Sequence, residues 1–129
     1  MKITIKPKIL VVEDQMETLT LIMLLLERAG FCVFGAQTGA DGIQLAKKEE
    51  FDLVILDVNL PDKDGFEVCA WLKQDFRFIR TPIFFISGLW NEEKRRRALE
   101  LGAADCIDKP FDAAVLFQRI FEHIKALKR

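Results

Sequence analysis

Short continuous apolar runs alternate five times with longer segments of helical spacing, and this alternation constrains the fold more than any other feature. Runs of about four β-branched, aliphatic or aromatic residues are typical of strands buried on both faces of a parallel sheet. The predicted strands are residues 9–12, 32–34, 53–56, 83–86 and a weaker run at 106–107.

Five segments between and after these runs are predicted to be helices. In residues 15–29, apolar side chains at Leu19, Ile22, Met23 and Leu26 recur three and four positions apart, which places them on one helix face. Segments 39–49, 64–74 and 91–101 are weaker helix candidates. Along residues 112–128, an apolar arc of about 140° is formed by Ala113, Leu116, Phe117, Ile120, Phe121, Ile124 and Leu127.

The strict alternation of strand and helix predicts one doubly wound α/β domain. Short connections of this kind join parallel strands by right-handed crossovers and place helices on both faces of the sheet. We therefore expect a five-stranded parallel sheet in a single domain over residues 1–129, with its core at about 8–127. A chain of 129 residues buries enough surface for a core without metal or disulfide support.

Composition excludes several classes of protein. A formal net charge of −1 argues against a dominant nucleic-acid-binding surface, so no direct nucleic-acid binding is expected. The three cysteines lack metal-ligand or disulfide-framework spacing. The first residues lack the apolar segment of a signal peptide. The longest apolar run, residues 19–26, is far shorter than the roughly 20 residues that span a membrane. We expect a cytoplasmic domain that does not enter the membrane.

Reactive side chains follow four of the five predicted strands. Ligands of open α/β sheets bind at the carboxyl ends of the strands, so residues in these positions are expected to converge. Strand 1 is followed by Glu13 and Asp14, strand 3 by Asp57, strand 4 by Ser87 and strand 5 by Lys109. The sequence therefore predicts three carboxylates, one hydroxyl and one ammonium at one edge.

Three neighbouring carboxylates repel one another unless a cation neutralises them. An oxygen-only, partly hydrated site fits Mg²⁺, whereas zinc would call for His or Cys ligands. Asp57 can then attack phosphorus to form an aspartyl phosphate. The metal and Lys109 would neutralise the phosphoryl oxygens, and Ser87 would donate a hydroxyl hydrogen bond.

These residues sit in motifs that resemble the receiver domain of two-component response regulators. The motifs are Ile-Leu-Val-Val-Glu-Asp at 9–14, Asp-Val-Asn-Leu-Pro at 57–61, Asp-Gly at 64–65, Ser87, Gly-Ala at 102–103 and Lys-Pro-Phe at 109–111. The resemblance covers residues 8–127. It implies a flavodoxin-like sheet in the order 2-1-3-4-5.

The resemblance also implies roles for individual residues. Asp57 would accept a phosphoryl group from the phosphohistidine of a sensor histidine kinase or phosphotransfer protein. Mg²⁺ would be held by Asp14, Asp57 and the backbone carbonyl of Asn59, with Glu13 acting partly through water. Lys109 would bind the phosphoryl group and precede a cis peptide bond, and Ser87 would be the switch hydroxyl.

One position departs from the family pattern. Receiver domains commonly carry Tyr or Phe three residues before the lysine, and that ring turns inward when the Ser/Thr hydroxyl moves. Here the position is Cys106, which is too small to repeat the movement. The usual coupling between Ser87 and an aromatic residue is therefore in question, whereas phosphorylation of Asp57 is not.

The family resemblance places the signalling surface on helix 4, strand 5 and helix 5. The segment 92–97, Glu-Glu-Lys-Arg-Arg-Arg, would open helix 4 either as a solvated face or as a docking patch for an output partner. A homodimer through the same surface is a further expectation. The cognate kinase and the output partner are not specified by the sequence.

Two other functions compete with a phosphoacceptor switch. A receiver-like domain that acts only in protein interactions would explain Cys106, but it would not need Glu13, Asp14, Asp57, Ser87 and Lys109 together. A Mg²⁺ phosphohydrolase with an Asp nucleophile would want a second acid two residues on, where Asn59 cannot deliver a proton. Dinucleotide binding would require a glycine-rich loop after strand 1, which is absent from the sequence there.

Three ring side chains lie outside this chemistry. Trp90 follows strand 4, and we expect it to tuck against the core. Trp71 lies on the flank of helix 3 and is expected to pack against a neighbouring element. His123, at the edge of the apolar arc of helix 5, is expected to be a surface residue.

Overall fold

Five strands and five α-helices alternate along residues 6–127, the part of the chain that the computed structural model describes. Every predicted strand and helix is present, with ends that differ from the prediction by at most two residues. Residue 128, the predicted end of the last helix, lies outside the described residues. The strands are β1 (Lys8–Val12), β2 (Cys32–Ala36), β3 (Leu53–Asp57), β4 (Ile83–Ser87) and β5 (Asp105–Asp108). The helices are α1 (Met16–Arg28), α2 (Gly39–Lys48), α3 (Gly65–Lys73), α4 (Glu92–Glu100) and α5 (Ala113–Leu127).

The strands form one parallel sheet in the order β2-β1-β3-β4-β5. This confirms the expected flavodoxin-like topology. Successive residues of a strand point to opposite faces, so Leu10 and Val12 pack with α2, α3 and α4, whereas Ile9 and Val11 pack with α1 and α5. Both faces are therefore covered, as the continuous apolar runs predicted.

The two edge strands are less buried than the sequence predicted. All five residues of β3 and of β4 are buried, but β2 and β5 are mostly half-buried. A central strand has neighbours on both sides and helices above and below. An edge strand lacks one of those neighbours, so a continuous apolar run does not ensure complete burial there.

Side-chain caps fix where three of the helices begin. Thr38, Asp64 and Asn91 each accept a hydrogen bond from the backbone N–H three residues ahead, at 3.0, 2.8 and 2.8 Å. Such caps satisfy amides that have no partner inside the helix. Because α2, α3 and α4 all begin at the carboxyl edge of the sheet, these caps also hold the loops that border the candidate site.

The connection between α3 and β4 contains a short 3₁₀ helix, Phe76–Phe78, that the sequence analysis did not predict. Lys73 Nζ donates to the carbonyl oxygens of Phe78 and Thr81 at 2.9 and 2.8 Å. Arg77 pairs with Asp75 at 2.8 Å and donates to Ala46 O at 3.0 Å. These long side chains tie the connection to its neighbours.

His123 is not the plain surface residue that was expected. Its ring packs edge-on against Phe84 of the core with centroids 5.1 Å apart, and Nδ1 lies 2.9 Å from Arg119 O. The side chain of His123, at the edge of the apolar arc of α5, therefore faces the sheet more closely than the helical spacing suggested.

Trp71 packs against the core and beneath Lys47, as expected. Within residues 6–127, no helix is long and apolar enough to cross a membrane.

Gly65 gives the first testable prediction. Its amide donates to Val58 O at 2.8 Å, and a Cβ there would overlap the carbonyl oxygen of Asp57, which is backbone and cannot move aside. We expect Gly65→Ala to lower the free energy of unfolding by about 1–3 kcal/mol or more, as overpacking does, in urea denaturation. Gly88→Ala is the control, since its Cβ would lie 3.8 Å from Lys109. Equal stability of the two variants would contradict this reading of the loop.

Candidate functional site

The predicted site residues meet at the carboxyl edge of the sheet. Glu13 and Asp14 follow β1, Asp57 ends β3 and Ser87 ends β4. Lys109 follows β5, and its backbone N–H donates to Ser87 O at 2.9 Å. Carboxylate oxygens of Glu13, Asp14 and Asp57 lie within 4.8 Å of one another, so the structure forms the predicted acidic cluster.

The ammonium of Lys109 bridges two buried carboxylates. Lys109 Nζ lies 2.7 Å from Asp57 Oδ2 and 2.5 Å from Glu13 Oε1. Glu13 is 0% exposed and Asp57 2%, whereas Asp14 is accessible to solvent. Asp57 Oδ1 accepts the backbone N–H of Asn59 at 2.9 Å. Both oxygens of Asp57 are therefore oriented by fixed donors.

Burial and crowding change the acidity of this cluster. Burial raises the pKa of Glu13 to about 8, with a further contribution from the neighbouring Asp57, while Lys109 acts in the opposite direction. Burial lowers the pKa of Lys109, but its bonds to Asp57 and Glu13 outweigh burial and leave that pKa raised. Lys109 is therefore a permanent cation at neutral pH.

The residues present fit a divalent cation. If Glu13 is ionised, as binding of a cation by its carboxylate would require, three carboxylates and one ammonium leave a net charge of −2 at the cluster. Within the described residues, Glu13 Oε1 is a buried oxygen with no partner at hydrogen-bonding angles, although Lys109 Nζ lies beside it. The donors are all oxygens, which suits Mg²⁺. Glu13, Asp14, Asp57 and the backbone carbonyl of Asn59 are the candidate ligands.

Ser87 begins a loop that is fastened to β5. Its buried Oγ accepts the backbone N–H of Leu89 at 3.1 Å. The Trp90 indole N–H donates to Ile107 O at 2.9 Å, and the ring packs against the core, as expected. The Arg95 guanidinium lies 5.2 Å from the centre of the Trp90 ring. Cys106, half-buried on β5, packs against the same core cluster as Trp90.

Asp62 is a functional candidate that the sequence analysis did not single out. Its carboxylate accepts the backbone N–H groups of Gly39 and Ala40 at 2.8 and 2.9 Å. These two bonds fasten the loop after β3 to the start of α2, so Asp62 borders the site without belonging to the acidic cluster. The sequence gives no signal for this contact, because the partners are main-chain groups 22 and 23 positions away.

The charged segment that opens α4 is held partly by the site loops. Arg97 lies over the Phe66 ring at 4.7 Å and 4.0 Å from Asp64, the cap of α3. Arg95 pairs with Asp108 of β5 at 3.3 Å. Exposed pairs of this kind contribute little stability. They nevertheless connect the solvated face of α4 to β5 and to the start of α3.

Comparisons with known proteins agree with this geometry. The family model of the response regulator receiver domain matches residues 9–121. Transcriptional regulatory protein GltR of Pseudomonas aeruginosa is 43% identical over 121 residues, covering 94% of this chain and 48% of the relative. Cell cycle response regulator CtrA of Brucella ovis is 35% identical over 121 residues, covering 94% and 51%. The chain thus spans about half the length of these curated relatives.

The fold is also shared with solved structures. The chemotaxis protein CheY4 of Vibrio cholerae superposes with a TM-score of 0.89 at 28% identity, over 92% of this chain and 99% of that one. The match covers nearly the whole length of both chains. It agrees with the strand order described above.

Glu13 gives a prediction about stability and pH. Its pKa of about 8 in the folded chain exceeds the ordinary 4.5, so between these values the folded state holds a proton that the unfolded state releases. The contribution of Glu13 to the free energy of unfolding is then greatest below about pH 4.5 and is lost as the pH rises through 8. In urea denaturation with EDTA, wild-type protein should lose about 1–3 kcal/mol between pH 5 and 8.

Glu13→Gln should flatten this pH dependence, because the amide does not titrate. Glu17→Gln, at an exposed position on the first turn of α1, is the matched control and should retain the wild-type slope. If Glu13→Gln and wild type lost stability in parallel over this range, the assignment of the titrating group would be wrong.

Proposed function

Because the chain belongs to the family of response regulator receiver domains, we propose that it is a phosphoacceptor switch in which Asp57 accepts a phosphoryl group. The donor is the phosphohistidine of a sensor histidine kinase or of a phosphotransfer protein. The observation that carries this proposal is the bridge from Lys109 to Asp57 and Glu13 inside the acidic cluster. It leaves one oriented carboxylate beside a fixed cation.

Phosphoryl transfer to Asp57 exchanges one bond to phosphorus for another. A carboxylate oxygen of Asp57 forms the new P–O bond while the P–N bond of the phosphohistidine breaks, and the imidazole nitrogen keeps the electron pair. The Asn59 amide and the Lys109 ammonium hold the two carboxylate oxygens. Orienting the nucleophile in this way lowers the entropic part of the barrier.

Lys109 and the acidic residues have complementary tasks in this proposal. The raised pKa of Lys109 keeps a positive charge beside the transferred group throughout the reaction. Glu13, Asp14, Asp57 and the carbonyl of Asn59 would hold Mg²⁺, which would supply positive charge that neutralises the phosphoryl oxygens. Without such a cation, the negative charge of the cluster would oppose the approach of a phosphoryl donor.

Ser87 would respond to phosphorylation of Asp57. Its oxygen accepts the Leu89 amide, so its own O–H proton remains available for a phosphoryl oxygen. Movement of Oγ toward Asp57 would either pull Leu89 along or break this bond. Both outcomes disturb Trp90, the next residue, and with it the contacts to Ile107 and Arg95. The change would then reach the α4–β5–α5 surface, where an output partner or a second copy of the chain would bind.

The first prediction of this proposal concerns the acceptor residue. Incubation with a small acyl phosphate and Mg²⁺ should add about 80 Da to the intact mass, the increment of one phosphoryl group. Asp57→Asn should abolish the gain. Asp52→Asn is the control, because Asp52 lies ahead of β3 and accepts the Lys8 amide instead. A gain at the wild-type rate in Asp57→Asn would assign the phosphoryl group elsewhere.

The second prediction concerns the switch loop. Phosphorylation should change the fluorescence of Trp90 in a Trp71→Phe background, and it should alter amide exchange at residues 87–91. Cys106 buries less area than an aromatic ring, so exchange along β5 should change less. Trp90→Phe, which keeps Trp71 as the fluorophore, is the matched control and should give little signal. Exchange changes confined to β5, with residues 87–91 silent, would contradict this account of the switch.

A further inference from the structure

We propose that Asp62 is a positioning residue of the cation site: it anchors the loop between β3 and α3 on the start of α2 and thereby sets how tightly the acidic cluster holds Mg²⁺. This inference rests on the proposed function, because it concerns the same cluster. Asp62 is not itself a candidate ligand. It would act through the loop that contains Asn59.

Asp62 occupies amides that the cap of α2 leaves free. Thr38 already accepts the Asp41 amide at 3.0 Å. Asp62 then accepts the two amides between them, Gly39 with Oδ1 at 2.8 Å and Ala40 with Oδ2 at 2.9 Å. A carboxylate on two amides at the positive end of a helix is held by charge-assisted bonds. The pKa of Asp62 is lowered by the Ala40 and Gly39 amides, so the anchor remains ionised at neutral pH.

The absence of a side chain at Gly39 gives a second, independent indication that the loop packs on α2. A Cβ on Gly39 would lie 2.6 Å from Lys63 Cγ and 2.9 Å from Val68 Cγ2. The side chain of Lys63, the residue after Asp62, therefore lies in space that only glycine leaves open. The loop and the helix fit each other through side-chain packing as well as through hydrogen bonds.

The loop anchored by Asp62 contains the backbone of Asn59, which contacts the acidic cluster. At its beginning, the Val58 amide donates to Ile86 O at 3.1 Å, and the Asn59 amide donates to Asp57 Oδ1 at 2.9 Å. Asp62 fixes the loop three residues later. Asn59, whose carbonyl is the candidate ligand, lies between these two attachments. Without Asp62, the next hydrogen bonds that hold this segment are those at the start of α3, at Asp64 and Gly65.

Loss of the anchor should weaken cation binding without destroying the site. Removing a group that orients a metal ligand typically lowers metal affinity by about 10- to 100-fold. Asp62 acts through three residues of backbone, so we expect the lower end of that range. None of the carboxylates of Glu13, Asp14 and Asp57 is hydrogen-bonded to Asp62, and the reaction at saturating Mg²⁺ should therefore survive.

The experiment is calorimetric titration of the metal-free full chain with MgCl₂. Asp62→Ala should raise the Kd for Mg²⁺ by about tenfold. Asp62→Asn, which keeps the shape and one acceptor oxygen, should show a smaller rise and serves as the second variant should the alanine variant unfold. Asp41→Asn removes a charge from the same helical turn and is the matched control, with a Kd within about twofold of wild type. Asp14→Ala is the reference for loss of the site.

A kinetic readout separates positioning from a general loss of structure. In phosphorylation by a small acyl phosphate, Asp62→Ala should need about tenfold more Mg²⁺ for half-maximal rate. Its rate at saturating Mg²⁺ should remain within about threefold of wild type, since only binding of the cation is impaired. A merely structural defect would lower the saturated rate and leave the half-saturating concentration unchanged.

The outcomes distinguish this inference from the proposed function. Wild type that neither binds Mg²⁺ nor gains mass would overturn the proposed function. Wild type that does both, together with an Asp62→Ala variant of unchanged Kd, would overturn only the role of Asp62. An equal rise in Kd for Asp62→Asn and Asp41→Asn would also overturn it, because the effect would then come from charge at the helix end rather than from the anchor.

Discussion

The contact of the Lys109 ammonium with the carboxyl groups of Asp57 and Glu13 is the interaction on which the rest of the site depends. Ionised carboxylates removed from water cost several kcal/mol each unless an opposite charge and hydrogen bonds compensate them. The three residues follow or end strands β5, β3 and β1, so they come together only when the sheet has formed from β1 through to β5. The site is therefore a property of the complete sheet.

Main-chain hydrogen bonds to the end of β4 position the site residues that follow β3 and β5. Lys109 N–H bonds Ser87 O, and Val58 N–H bonds Ile86 O, so the residues after β5 and β3 are each placed by the end of β4. The loop after β3 ends at Gly65, where a side chain would overlap the carbonyl oxygen of Asp57. Backbone contacts of this kind place reactive side chains without requiring further polar side chains in the core.

Most of the fold could be predicted from the sequence because its strands and helices have strong, local patterns. The runs at 9–12, 53–56 and 83–86 became fully buried strands, and the residues that follow them converge as expected. The contacts that could not be predicted are those whose partners are distant and main-chain. Examples are Asp62 on the amides of α2 and Trp90 on Ile107. His123 was misjudged because a helical arc defines a face but not how deeply its edge turns inward.

In the proposed switch, the contacts of Trp90 are weak enough for the charge of one phosphoryl group to outweigh them. A neutral hydrogen bond such as that to Ile107 contributes about 1 kcal/mol net. An exposed cation–π contact such as that with Arg95 contributes about 0.5–1 kcal/mol. The Arg95–Asp108 pair is exposed and adds little. A hydrogen bond from Ser87 or Lys109 to a charged phosphoryl oxygen is worth about 1.5–3 kcal/mol, and ligands shift two states only by such differences. In the proposed switch, Cys106 is unable to add a large buried ring to either state, so the balance between the two states would depend on this loop.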